Sequence, residues 1–124
     1  MKIKDQNKIL EELTDDQIPK PFGFKILLLL PPAEDKFEGG LYKPDALIRD
    51  EQHASMLAVV LDMGPDAYKD EKRFPSGPWC QIGDTVMITS YSGVRFKLAG
   101  INFRLVNDDT PLAVVKDPKY FERG

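Results

Sequence analysis

Residues 22–30 read Phe-Gly-Phe-Lys-Ile-Leu-Leu-Leu-Leu and are fenced by Pro21 on one side and Pro31-Pro32 on the other. Nine residues between prolines are too few for a comfortable helix, so the run predicts a strand. Its near-continuous apolarity predicts burial on both faces, as in a central strand or one with a neighbouring subunit against its second face. A second apolar run, Met56-Leu57-Ala58-Val59-Val60-Leu61-Asp62-Met63, predicts another strand closed by Gly64-Pro65. Beyond it, residues 82–88, 94–98, 101–106 and 112–115 are short apolar or alternating segments. Turn signals separate them at Gly83-Asp84, Ser92-Gly93, Ala99-Gly100 and 107–111. Short strands at this spacing predict an all-β barrel or sandwich. The charged stretch 66–78, with Pro75, Gly77 and Pro78, predicts a surface loop or irregular hairpin.

Between the first two strands lies a polar stretch that begins with Phe37-Glu38-Gly39-Gly40-Leu41-Tyr42 and runs to about Ser55. Paired glycines loosen the backbone. Directly after them, Leu41 and Tyr42 form an apolar pair with no further large apolar cluster until Leu47-Ile48. A structureless connector above about 12–15 residues inside a compact domain tends to be functional or disordered. The loop is therefore the candidate contact element.

A chain of 124 residues builds one domain with one modest core. A net charge of −3 and a pI near 5.2 argue against a nucleic-acid surface, which needs clustered Lys and Arg. Arg95-Phe96-Lys97 and Phe103-Arg104 superficially resemble a stacking platform, yet strand alternation alone produces that pattern. With Cys80 as the only cysteine, no intramolecular disulfide forms, which fits a reducing, cytoplasmic setting. The start, Met-Lys-Ile-Lys-Asp-Gln-Asn, lacks the apolar core of a signal peptide. No apolar run approaches the roughly 20 residues that span a bilayer, so no membrane partner is expected. Residues 1–19, with Ile3, Ile9, Leu10, Leu13 and Ile18 among charges, read as a helical or partly ordered extension outside the main domain.

The chain offers little to catalysis. His53 is the single histidine and sits in the polar loop, while Cys80 follows Trp79 in a Pro-rich turn. Nothing in the sequence joins them as base and thiol. Asp15-Asp16 and Asp108-Asp109 read as solvated turn residues. No His or Cys cluster has metal-ligand spacing, and no glycine-rich phosphate loop precedes a helix. Neither an enzyme nor a cofactor is expected.

In their order, these elements resemble the GroES family of co-chaperonins. Residues 21–28 resemble its opening strand, and Gly39-Gly40-Leu41 the start of its mobile-loop contact. Val59-Val60-Leu61-Asp62-Met63-Gly64 resembles its second strand with terminal glycine. Ile82-Gly83-Asp84-Thr85-Val86 resembles its Val-Gly-Asp-x-Val element, Tyr91-Ser92-Gly93-Val94 the turn beyond, and Leu112-Ala113-Val114-Val115 its closing strand. The resemblance spans about residues 21–115. It departs where Lys43 and Pro44 follow Leu41-Tyr42, since the family usually places three apolar residues after the glycines. The loop is also a few residues longer and both termini are extended, a divergence that resembles virus-encoded members more than the standard bacterial one.

The resemblance implies a GroES-like small β-barrel over residues 20–115, a mobile loop at about 34–56, a roof segment at about 65–79 and a C-terminal tail at 116–124. It implies a heptameric ring that caps a GroEL-type chaperonin in its ATP state and encloses unfolded substrate protein. Gly39, Gly40, Leu41, Tyr42 and Lys43 are the implied chaperonin contacts, with Leu47 and Ile48 as further candidates. The alternative is a monomeric β-barrel adaptor or virion structural protein that shares only the architecture.

Overall fold

The computed structural model describes residues 13–14, 16–30, 56–89 and 91–118. Six strands appear in these segments: β1 Lys25–Leu29, β2 Leu57–Met63, β3 Thr85–Met87, β4 Val94–Leu98, β5 Ile101–Asn107 and β6 Ala113–Val114. They form one sheet in the order β4-β5-β1-β2-β3-β6, and every neighbouring pair is antiparallel. The all-β expectation holds; β1, β2, β3 and β6 are shorter than their apolar runs, β4 matches 94–98 and β5 runs one residue past 101–106. As expected, a turn at 82–83 precedes β3, and Ile82 is exposed.

β1 is an inner strand between β5 and β2, which is why its apolar run has no polar side. Ile26, Leu27 and Leu28 are all 0% exposed within a single chain. Ile26, Leu28 and Leu30 join Ala58, Val60, Val86, Ile88 and Val106 in one cluster. Leu27 and Leu29 face the other way, onto Ile101, Phe103, Leu105, Phe96, Leu98, Leu61 and Ile18. No neighbouring subunit is needed to explain the second face; of the two expectations, the central strand is the one the structure supports. Ile18 also shows that the N-terminal segment joins the domain by that residue.

Pairing of β1 with β2 slips by one residue between Leu27 and Leu28, so Leu27 opposes Asp62 and Leu28 opposes Val60. Leu61 is the extra residue of a bulge. The slip keeps Val60 and Met63 with the first cluster and turns Leu61 onto the second. On β5, Arg104 is buried, and its Nη1 donates at 3.5 Å to the carbonyls of Thr89 and Ser92, in the connection from β3 to β4. In a flat sheet β5 and β3 stand three strand spacings of about 4.8 Å apart. The sheet curls about the first cluster, which joins Val106 of β5 to Val86 of β3. This curl is the barrel of the fold.

The β4–β5 hairpin turns at Ala99 and Gly100, with φ of +50° and +80°, a two-residue turn of the kind whose twist matches antiparallel strands. Phe96 and Phe103 face each other across it, stacked with ring centroids 5.4 Å apart and planes 8° from parallel. Phe103 is buried and Phe96 half-buried, so these rings are core and not a platform for bases. Among the described residues, no helix is long and apolar enough to cross a membrane.

Candidate functional site

The expected contact residues Gly39, Gly40, Leu41, Tyr42, Lys43, Leu47 and Ile48 lie outside the described residues, as does His53. The structure does describe the two feet from which their segment departs. At one foot Leu30 is buried, and its N–H donates to the carbonyl of Asn102 on β5 at 3.0 Å. At the other, the carbonyl of Met56 accepts from Ile88 N–H at 2.8 Å, one residue before β2. Leu29 and Val59 are directly paired, so both feet stand side by side on inner strands. Between them run residues 31–55. Leu41 is 11 residues beyond Leu30, and an extended chain of that length spans at most about 35–40 Å.

A second excursion, residues 65–80, joins β2 to β3 and is built of turns. It departs at Gly64, whose N–H donates to Lys25 O at 2.8 Å, and the next tie is Asp66 N–H to Gly23 O at 2.9 Å. The expected surface loop is only half right, because Ala67, Tyr68, Phe74 and Cys80 are buried in the inner cluster. Tyr68 and Phe74 meet edge to face at 4.9 Å, and Phe74 and Trp79 do the same at 4.9 Å. Arg73 lies 5.0 Å over the Phe74 ring. Three aromatics within twelve charged or turn-forming residues were the sequence signal for this packing.

Tyr68 Oη and Cys80 Sγ are hydrogen-bonded at 3.3 Å. Burial holds the Tyr68 phenol above its ordinary range, and the bond to Cys80 raises it further. Burial also pushes the Cys80 thiol up, with the bond to Tyr68 acting in the opposite sense. A neutral, buried thiol is a packing residue rather than a nucleophile.

Asp108 corrects the expectation of a solvated turn pair. It is 1% exposed, and its Oδ2 accepts from Tyr68 N–H at 3.1 Å. Arg73 Nη2 approaches Asp108 Oδ1 at 3.5 Å and Asp109 Oδ2 at 2.8 Å. No local signal distinguishes this Asp-Asp turn from a solvated one, because its partners lie some 35–40 residues earlier in the chain. Arg104 is held below the usual arginine range first by burial and then by the charge of Arg95, its cross-strand neighbour. Among the described residues, no group of three or more His, Cys, Asp and Glu is placed to hold a metal ion.

Beside the end of this excursion, Trp79, Cys80, Pro111, Leu112, Ala113 and Val114 line an apolar groove. It runs along β6, the terminal strand of the sheet, where Leu112 and Val114 are exposed. An apolar groove beside a sheet edge is suited to pairing with another strand.

No protein-family model matches the chain. Among curated proteins, the co-chaperonin GroES of Lawsonia intracellularis is 32% identical over 97 residues, covering 77% of this chain and 90% of that protein. The co-chaperonin GroES of Deinococcus radiodurans is 32% identical over 102 residues, 78% of this chain and 98% of that protein. That of Methylacidiphilum infernorum is 30% identical over 98 residues, 78% of this chain and 93% of that protein.

Proposed function

The chain belongs to the GroES co-chaperonin family, and from that premise we propose that it acts as the ring-shaped lid of a GroEL-type chaperonin. The observation that carries co-chaperonin function is identity of 30–32% spread over 90–98% of the length of each relative. The curled antiparallel sheet, with a long insertion between its first two strands, is the architecture such a lid requires.

In this reading the ring is a heptamer formed edge to edge, and the β6 edge with its exposed Leu112 and Val114 supports that assignment. The loop contacts are Gly39, Gly40, Leu41, Tyr42 and Lys43, with Leu47 and Ile48 beside them, and Leu41 and Tyr42 are the anchors. Burying those two side chains contributes about 3–6 kcal/mol per subunit. Fixing the backbone of each residue around them costs about 1–2 kcal/mol, which offsets most of the gain. One loop therefore binds weakly, and several loops on one ring bind firmly but reversibly, because later contacts are intramolecular. The protein encloses substrate without performing covalent chemistry on it.

The segment 65–79 is assigned as the roof of the chamber, presenting Lys69, Asp70, Glu71 and Lys72 on its outer side. Deleting it is a poor test, because Arg73 and Phe74 tie it to the fold. Replacing Lys69, Glu71 and Lys72 with Ser leaves the ring assembled; loss of the heptamer would move the segment into the interface.

The deciding experiment is an ATP-dependent pull-down with a GroEL-type chaperonin. Wild type is retained and Leu41→Asp is lost, while both elute at the mass of a ring on sizing. Retention of Leu41→Asp removes the loop from its role, and a monomeric wild type removes the lid.

A further inference from the structure

The 65–80 excursion is a strap over the inner apolar face of the sheet, and its polar attachments are few. Apart from Asp66 near its start, the described ties from its central part to other elements are Tyr68 N–H to Asp108 and Arg73 to Asp108 and Asp109. Other hydrogen bonds of this part are internal, such as Lys69 to Asp66, Phe74 to Asp70, Gly77 to Phe74 and Lys72 N–H to the Asp70 carboxylate. No strand ladder holds it.

Tyr68 has φ of +62°, a conformation a bulky L-residue rarely adopts. It is kept there from two sides. Its N–H is fixed on the buried Asp108 carboxylate, and its ring is fixed by Phe74, Trp79 and the Cys80 thiol. Asp108 Oδ1 is sealed from solvent and has no hydrogen-bond partner among the described residues; Arg73 at 3.5 Å is its counter-charge. The Arg73 and Asp109 side chains are 42% and 51% exposed, so dissolved ions reach the bridge that completes this arrangement.

We propose that Arg73, Asp108 and Asp109 form an ionic latch that makes the 65–80 strap a salt-sensitive cover, able to lift from the inner face of the sheet while the ladders persist. Lifting it uncovers Ile26, Leu28, Val60 and Val86, with which its buried residues pack. It also reshapes the groove beside β6, because Trp79 and Cys80 close the strap and line that groove. Opening is local, since the strap lacks the cross-strand hydrogen bonds that make sheet exchange slow. The device stands on contacts within one chain and is independent of the lid reading.

Hydrogen exchange followed by mass spectrometry on the full chain tests it, at 0.05 and 0.5 M sodium chloride, a salt that screens charge without strongly favouring burial. In wild type, exchange in 66–80 rises about two- to fivefold with salt, the range of an ion pair with half-exposed partners. Arg73→Ala shows the raised rate at both salt levels, and Lys72→Ala behaves as wild type. Peptides covering 25–29 and 101–107 are unchanged throughout. Asp109→Asn provides a second variant that leaves the buried Asp108 in place, and it reduces the salt response. Acrylamide quenching of Trp79, the sole tryptophan, rises in parallel. An equal salt response in Arg73→Ala, or a matching rise in the β1 and β5 peptides, overturns the proposal.

Discussion

Gly64→Ala is the substitution whose cost the structure defines most tightly. A Cβ at this position falls 2.2 Å from the Gly23 carbonyl oxygen, 2.8 Å from that of Phe22 and 2.9 Å from the Gly23 carbonyl carbon. Real Cβ contacts essentially never fall under 3.0 Å, and all three obstacles are backbone, so no rotamer change relieves them. The strand start at 22–23 must move off the end of β2. That displacement strains Gly64 N–H to Lys25 O and Asp66 N–H to Gly23 O, both under 3.0 Å now. Overpacking of this kind costs about 1–3 kcal/mol. Loss of two backbone hydrogen bonds adds about 1 kcal/mol each. The expected total is about 3–5 kcal/mol, a large share of the roughly 5–15 kcal/mol that holds a domain folded. Gly77→Ala is the matched control: its φ is +88°, but nothing lies within 4 Å of a Cβ there. Its cost is conformational alone, about 1–2 kcal/mol. Urea unfolding of both variants, followed by Trp79 fluorescence at one fixed protein concentration, separates steric from conformational loss. If Gly64→Ala costs no more than Gly77→Ala, the close approach of 22–23 to the end of β2 is not what requires glycine.

Two further substitutions probe the hairpin and the strap. Ala99 holds φ of +50° in a turn whose first central position favours Asn, so Ala99→Asn should stabilise the protein by about 1 kcal/mol. Scanning calorimetry should then show a rise in Tm of about 3–5 °C, and a fall would show that Ala99 is not strained. The raised thiol of Cys80 gives stability that is fully present below the unfolded cysteine pKa, near 8.5, and is lost as pH climbs toward the folded value. Urea midpoints between pH 7 and 9.5 should therefore fall more steeply for wild type than for Cys80→Ala. Equal slopes would show that the thiol is not shielded, as would rapid alkylation of the folded protein by iodoacetamide at pH 8.

Much of the fold was legible in the sequence because it is written in local patterns. The proline-fenced run at 22–30 marks an inner strand, alternation marks β4 and β5, and Ala99-Gly100 marks the turn between them. Ordered motifs across residues 21–115 were enough to indicate the family. Strand periodicity also explained the aromatics of β4 and β5, which pack as stacked rings across the hairpin.

Tertiary structure decided matters in which a residue's partner lies far along the chain. Asp108 reads as one more turn carboxylate, and becomes a buried anchor only because Tyr68 and Arg73 are brought to it from 40 and 35 residues away. Arg104 fits the charged phase of an alternating strand, yet the curl of the sheet turns that phase inward. The strap reads as a charged loop, and its aromatics are buried because the inner face of the barrel needs a cover. Sequence specifies period and turn, which depend on neighbouring residues. Which side of a strand faces the core depends on register and curvature, which only the assembled sheet fixes.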